Sequence, residues 1–192
     1  MWLDNVSPKA FNWPLFTVVV AVSAVLTVIS MNNRIQYLDH LSHKDIVALY
    51  ANVFTHFVLV NGGNVIVFLL PAAYDKFLAI MILLQIVSYM TSESKCVFTE
   101  NEKRIMGQHF NPSDKQDEPY TYYLHAHKSF FMYTLFADAV LRPAYTFIIF
   151  TRVVFGLSSN MVLAATIGAM VATLQLYLSR NFIKHKLRKC FE

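Results

Sequence analysis

Charged side chains embedded in apolar sequence are the residues here with chemistry to perform. The run Asp138-Ala139-Val140-Leu141-Arg142-Pro143-Ala144 lies within an apolar block, residues 129–157, that also holds Arg152. On a helix Asp138 and Arg142 stand four residues apart, within ion-pair reach. An unpaired charge near a bilayer centre costs about 2.5–3.5 kcal/mol on insertion scales, so pairing is the expected solution. Pro143 removes a backbone donor, which kinks a helix or opens a hairpin. The pair reads first as an internal salt bridge that locks a bundle. The alternative is a polar hinge, or a relay for protons or ions.

Other polar residues have similar settings. Asn52 and His56 share a helix face at i, i+4 and are expected to point into a bundle. Asn61-Gly62-Gly63-Asn64 interrupts the same apolar block, and Gly62 and Gly63 mark a kink. A kinked helix is the first reading of that break; a substrate or ion site at a broken helix is the second. A polar path through the bundle would use Asn52, His56, Asn61, Asn64, Asp138 and Arg142. Seven histidines raise the question of metal, with His40 and His43 in one loop and His125 and His127 in another. Neither HExxH nor a recurring HxxxH is present, so no metal site and no cofactor are expected. Nucleophile elbows and phosphate-binding glycine loops are absent too, leaving His125 or His127 as the only footing for an enzyme. The expectation is a non-enzyme.

These residues need elements to hold them, and composition says what kind. Of 192 residues 56% are hydrophobic and 15% charged, at a mean hydropathy of +0.42. A soluble domain carries about 25% charged residues, and here the apolar excess is gathered into long blocks. Those blocks cover residues 14–31, 46–70, 73–91, 129–156 and 160–179. A crossing helix needs roughly 20 apolar residues. The fold expected is therefore all-α, a polytopic membrane bundle of four to five transmembrane segments. The last two blocks either form a crossing hairpin or dip together into one leaflet. Ala164, Gly168 and Ala172 recur at four-residue spacing, a pattern that lets another helix approach closely. The first block has no basic cluster before it and exceeds the roughly 7–15 apolar residues of a signal peptide, so it reads as a retained helix. Asn5-Val6-Ser7 is a glycosylation sequon, expected to see little use beside Pro8 and the membrane. Cys96 and Cys190 are too few for a disulfide framework or a four-ligand zinc site.

Residues 92–128 form the one long polar loop, and residues 180–192 a basic tail. If the tail is cytosolic and all five blocks cross, twelve basic residues face the cytosol, against Lys9 and Lys76 on the other side. In the tail Ile183, Leu187, Cys190 and Phe191 fall on one helical sector, with Lys184, Lys186, Arg188 and Lys189 on the rest. That is a basic amphipathic helix suited to anionic lipid headgroups; a solvated stop-transfer helix is the alternative. The tail is too short to suggest nucleic acid.

The stretch Phe136-Ala137-Asp138-Ala139-Val140-Leu141-Arg142-Pro143-Ala144-Tyr145-Thr146-Phe147-Ile148-Ile149-Phe150, followed by an apolar hairpin and the exit Tyr177-Leu178-Ser179-Arg180, resembles part of the Krüppel-homologue-2 family, also called the transmembrane protein 33 family. The resemblance implies a non-enzymatic protein of the endoplasmic reticulum and nuclear envelope, associated with tubule-shaping and nuclear-pore proteins. Asp138, Pro143, Ala144, Phe147 and Phe150 would then be structural. The resulting expectation is a membrane scaffold or accessory subunit that holds a larger membrane-protein partner and influences membrane shape or lipid organisation. The alternative is a component of a lipid- or ion-transport complex.

Overall fold

The computed structural model describes residues 6–32, 38–91, 97–107, 132–133, 135–181, 183–184 and 187. All regular elements among them are helical: α1 (Trp13–Asn32), α2 (His43–Asn64), α3 (Ile66–Leu69), a 3-10 turn (Ala72–Tyr74), α4 (Asp75–Thr91), α5 (Val97–Met106), a π turn (Ala137–Leu141), α6 (Arg142–Ser158) and α7 (Met161–Leu178). Among the described residues four helices are long and apolar enough to cross a membrane: α1, α2, the π turn joined to α6, and α7. Only 22–33% of each apolar window is buried. Val18, Val25, Leu59, Val162 and Met170 all lie open on the outside, where hydrocarbon rather than water suits them. This is an all-α polytopic membrane protein. The third block, residues 73–91, becomes α4, whose 17 residues span about 25 Å at 1.5 Å per residue, the short end of what a crossing requires.

Neighbouring long helices run antiparallel. Asn12 donates its backbone N–H to the Leu69 carbonyl at 3.0 Å, while Asn61 reaches Ser23 at 3.0 Å. These contacts lay α2 and α3 back along α1. Arg152 joins Asp75 and Ser7, so the start of α4, the end of α6 and the N-terminal segment share one end of the bundle. Thr146 meets Gln175, which turns α7 back along α6. The last two blocks are thus a tight helical hairpin. Its turn is Ser159-Asn160, because α6 continues through Ser158. Ser159 adopts the left-handed conformation at φ 53° and donates its N–H to Phe155 O, closing α6. Asn160 then caps α7 by accepting from the Leu163 N–H, as an N-cap side chain does.

Among the described residues two apolar cores form. Met31, Leu49, Val53, Phe57 and Met106 build the first, between α1, α2 and α5. Val67, Leu78, Ile82, Tyr145, Ile149 and Phe150 build the second, between α3, α4 and α6. The chain passes from one to the other at the helix break. After Gly62-Gly63-Asn64, Val65 leaves helical geometry at φ −123° and its N–H turns back to the Gly62 carbonyl. The Asn-Gly-Gly-Asn run itself stays helical to Asn64; the break falls just after it, at Val65, and carries the chain into α3 and the second core. Within residues 92–128, expected as loop, α5 forms an amphipathic helix whose Glu102 and Met106 are buried.

Ala164, Gly168 and Ala172 are all buried. At Gly168 an added Cβ would lie 2.9 Å from the Phe147 carbonyl and 2.5 Å from Thr151 Oγ1. The small-residue stripe faces α6, and glycine sets how closely the two helices meet. Gly168→Val is expected to destabilise the protein by about 1–3 kcal/mol through overpacking. The neighbouring exposed position provides the control, since Ala169→Val adds the same β-branching outside the contact. Heating in detergent followed by size-exclusion of the soluble fraction compares the two.

Candidate functional site

The candidate site begins at the π turn. Because Pro143 has no N–H and its ring crowds the carbonyl four residues back, an α-helix cannot run through it undisturbed. The chain widens instead, and the Arg142 N–H bonds to the Ala137 carbonyl, five residues earlier. Such π insertions recur at functional positions. Here the widened turn holds Asp138, buried at 4% side-chain exposure, with Oδ1 2.7 Å from the Arg142 guanidinium. The ion pair expected from the spacing is present, and Pro143 sits in the first turn of α6.

Arg142 also reaches across the bundle. Its Nε donates to Asn64 Oδ1 at 3.3 Å, and Asn64 Nδ2 donates to the Tyr133 hydroxyl at 3.1 Å. Asn64 is the last residue of α2, held at the helix break. Two features that lie 78 residues apart, the helix break after Asn-Gly-Gly-Asn and the Asp-Arg-Pro turn, thus meet in one polar row: Asp138, Arg142, Asn64, Tyr133. The physical reason is mutual need. A helix end leaves backbone and side-chain polar groups that must be satisfied from inside the protein.

Asn52, His56 and Asn61 have partners elsewhere among the described residues. Asn61 Nδ2 donates to Ser23 Oγ at 3.0 Å, tying α2 to α1. Asn52 donates to the Phe98 carbonyl at 3.0 Å and accepts from Asn101 at 2.9 Å. His56 stacks on the Phe98 ring, 5.0 Å between centroids. Asn52 and His56 face α5, which their i, i+4 spacing alone could not specify.

A second ion pair escaped the sequence reading. Arg152 grips Asp75 with a two-pronged contact, Nε to Oδ2 at 2.7 Å and Nη2 to Oδ1 at 2.8 Å. Its Nη1 donates to Ser7 Oγ at 2.8 Å. The pair is deeply buried, with side-chain exposures of 4% and 8%. A signal for it existed: Arg152 lies late in one apolar block and Asp75 at the start of another, at the same end in any five-crossing arrangement. Gln175, unremarked in sequence, bonds Thr146 at 2.7 Å and approaches Gln85 at 3.5 Å, linking α7 to α6 and α4.

Among the described residues no group of three His, Cys, Asp or Glu is placed to hold a metal. His125, His127, Cys96, Cys190 and the tail residues Lys186, Arg188, Lys189 and Phe191 lie outside the described residues. Of the basic tail, Ile183 is half-buried while Lys184 and Leu187 are exposed. Arg180 stacks over the Tyr177 ring at 3.8 Å, an arrangement suited to the border between apolar and polar surroundings.

The fold and these pairs define the class: a polytopic α-helical membrane protein with ionic and amide cross-links inside its bundle. No family model matches the chain, nor does any curated protein or solved structure.

Removing one member of a buried pair strands the other, at about 3–5 kcal/mol, while replacing both with apolar residues is often neutral or stabilising. Arg152→Met is therefore expected to lower the thermal midpoint strongly. Asp75→Leu/Arg152→Met should recover most of the loss. Additive losses in a double-mutant cycle on detergent-solubilised protein would show that the pair does not act as a unit.

Proposed function

We propose that this chain is a non-enzymatic integral membrane scaffold or accessory subunit, anchoring a larger membrane-protein partner and influencing membrane shape or lipid organisation. The observation that supports this reading is where the intramembrane polar groups are used. Arg142 binds both Asp138 and Asn64, Arg152 binds Asp75, and Thr146 binds Gln175. Each link joins two turns or two helices, which is how a bundle is stiffened. Meanwhile large apolar side chains cover the outer faces of α1, α4 and α7, ready for lipid or for a partner's helices.

Placement in the endoplasmic reticulum and nuclear envelope belongs to the same proposal and rests on the resemblance over residues 136–150. A cytosolic C-terminus is supported by charge. The ends of α1, α4 and α7 that lie together lead into the segments carrying twelve of the sixteen Lys and Arg, the pattern of a cytosolic face. The basic tail would then meet anionic headgroups. A second reading, membership of a lipid- or ion-transport complex, is favoured by the row of Asp138, Arg142 and Asn64 at a broken helix. The use of Asn52 and His56 against α5, and of Asn61 against α1, favours the scaffold reading.

Purification of the tagged full chain from its native membranes in mild detergent tests the proposal. A stoichiometric membrane-protein partner is the expected result, identified by mass spectrometry. A monomer free of any such partner would overturn it.

A further inference from the structure

The α6–α7 hairpin rises past the start of α4. Arg152 grips Asp75, the first residue of α4, and stands seven residues before Ser159 in the hairpin turn, about 10 Å along a helix axis. A second contact gives a matching register. Gln175 lies about 22 Å from Asn160, and Gln85 about 15 Å from Asp75, at 1.5 Å per residue; their amides meet at 3.5 Å. α4 therefore begins roughly 7–10 Å below the turn.

Both places carry the residues of a headgroup boundary. The turn and the residue before it, Ser158-Ser159-Asn160, are polar and exposed. Apolar surface begins at once on either side, with Leu157 73% and Val162 77% exposed. On α4 the exposed Tyr74 and Lys76 come just before Phe77, Ile80 and Leu84, which lie open on the outer face. Tyrosine and lysine mark the level at which hydrocarbon gives way to headgroups. Two boundary markers thus stand on neighbouring helices at different heights.

A flat leaflet cannot meet both. Set at the turn, it would sink the Lys76 ammonium into hydrocarbon. Set at Lys76, it would strip lipid from Leu157, Met161, Val162 and Leu163, all exposed. Tilting the whole molecule until the markers are level, across helix axes 8–10 Å apart, needs about 40°, the upper end of the range for membrane helices. A dip in the leaflet costs far less per ångström than an apolar side chain left in water. The stem of Lys76 shortens the dip further by reaching toward the headgroups.

We propose that this end of the bundle draws its leaflet down by roughly 7–10 Å between the α6–α7 turn and Lys76, with hydrocarbon covering the hairpin tip. The inference rests on the membrane-shape part of the function proposed above and supplies its mechanism; its failure leaves the scaffold reading to the co-purification test. The full chain carrying Cys96→Ser and Cys190→Ser receives single cysteines and is placed in phosphatidylcholine nanodiscs with a charged, water-soluble maleimide. Phe77 and Ala169, both exposed, lie at one height, about 10–14 Å below the turn. Phe77→Cys is expected to react about tenfold faster than Ala169→Cys, and about as fast as Val162→Cys, because only a dipping leaflet admits the charged reagent there. Equal rates at Phe77 and Ala169 would mean a flat leaflet and overturn the proposal. Val162→Cys reacting as fast as in detergent would also overturn it, placing the tip in water as a surface for another protein. So would a mean helix tilt of about 40° by polarised infrared spectroscopy, the tilt that levels the markers. Should the cysteine-free background fail to fold, Lys76→Leu in the chain with its own cysteines gives a second test. Across phosphatidylcholines of increasing acyl length, the thermal midpoint of the unsubstituted chain is expected to peak at a shorter lipid than that of Lys76→Leu. Coincident peaks would overturn the proposal.

Discussion

Hydrocarbon offers no counter-charge and no hydrogen bond, so every charge this chain carries into its bundle needs an answer from elsewhere in the chain. α6 and the π turn before it present the demand twice. Arg142 is answered locally, by an aspartate one turn earlier, and again by Asn64 at the end of α2. Arg152 has no acid nearby in sequence and is answered by Asp75, the first residue of α4. Once these two arginines are placed, the packing of α4 and α2 against α6 follows. Apolar packing alone would leave the helices freer to slide, since lipid tails are as apolar as leucine.

The same constraint explains why two irregular stretches of backbone lie together. A helix break at Val65 and a π turn forced by Pro143 each loosen the regular ladder of hydrogen bonds. At separate lipid-facing places each would expose polar groups to hydrocarbon. Side by side, the asparagine that ends one helix receives the arginine that begins the other. The break also moves the chain from the first apolar core to the second, so Asn64 sits at the joint between them. Beside that joint the described residues bound a crevice lined by Gly63 and Arg142.

The α6–α7 hairpin works differently. No ion pair joins its two helices among the described residues; close approach at Gly168 and the Thr146–Gln175 hydrogen bond do so instead. Small residues at the contact let backbones come near, and the turn at Ser159-Asn160 is short enough to hold the two helices in register. This part of the fold is governed by local sequence, and its position against α4 by Gln175 and Gln85.

Which features could be read in advance follows from the range of the forces involved. Apolar blocks of crossing length, the i, i+4 spacing of Asp138 and Arg142, the proline that disturbs a helix and the small-xxx-small stripe are all local patterns. The all-α membrane fold, the local ion pair and the close-packed face of α7 were legible from them. The helical character of residues 97–106 was obscured because their apolar face is short and set within a polar, turn-rich segment. The partners of Asn52, His56, Asn64, Arg152 and Gln175 lie between 29 and 145 residues away. A side chain's spacing along its own helix says which way it points, not what stands opposite. The sequence by itself determined that charges had been carried into apolar helices and must be paired. Only the tertiary structure decided which partner answered each one, because that depends on the rotation and depth of whole helices against each other.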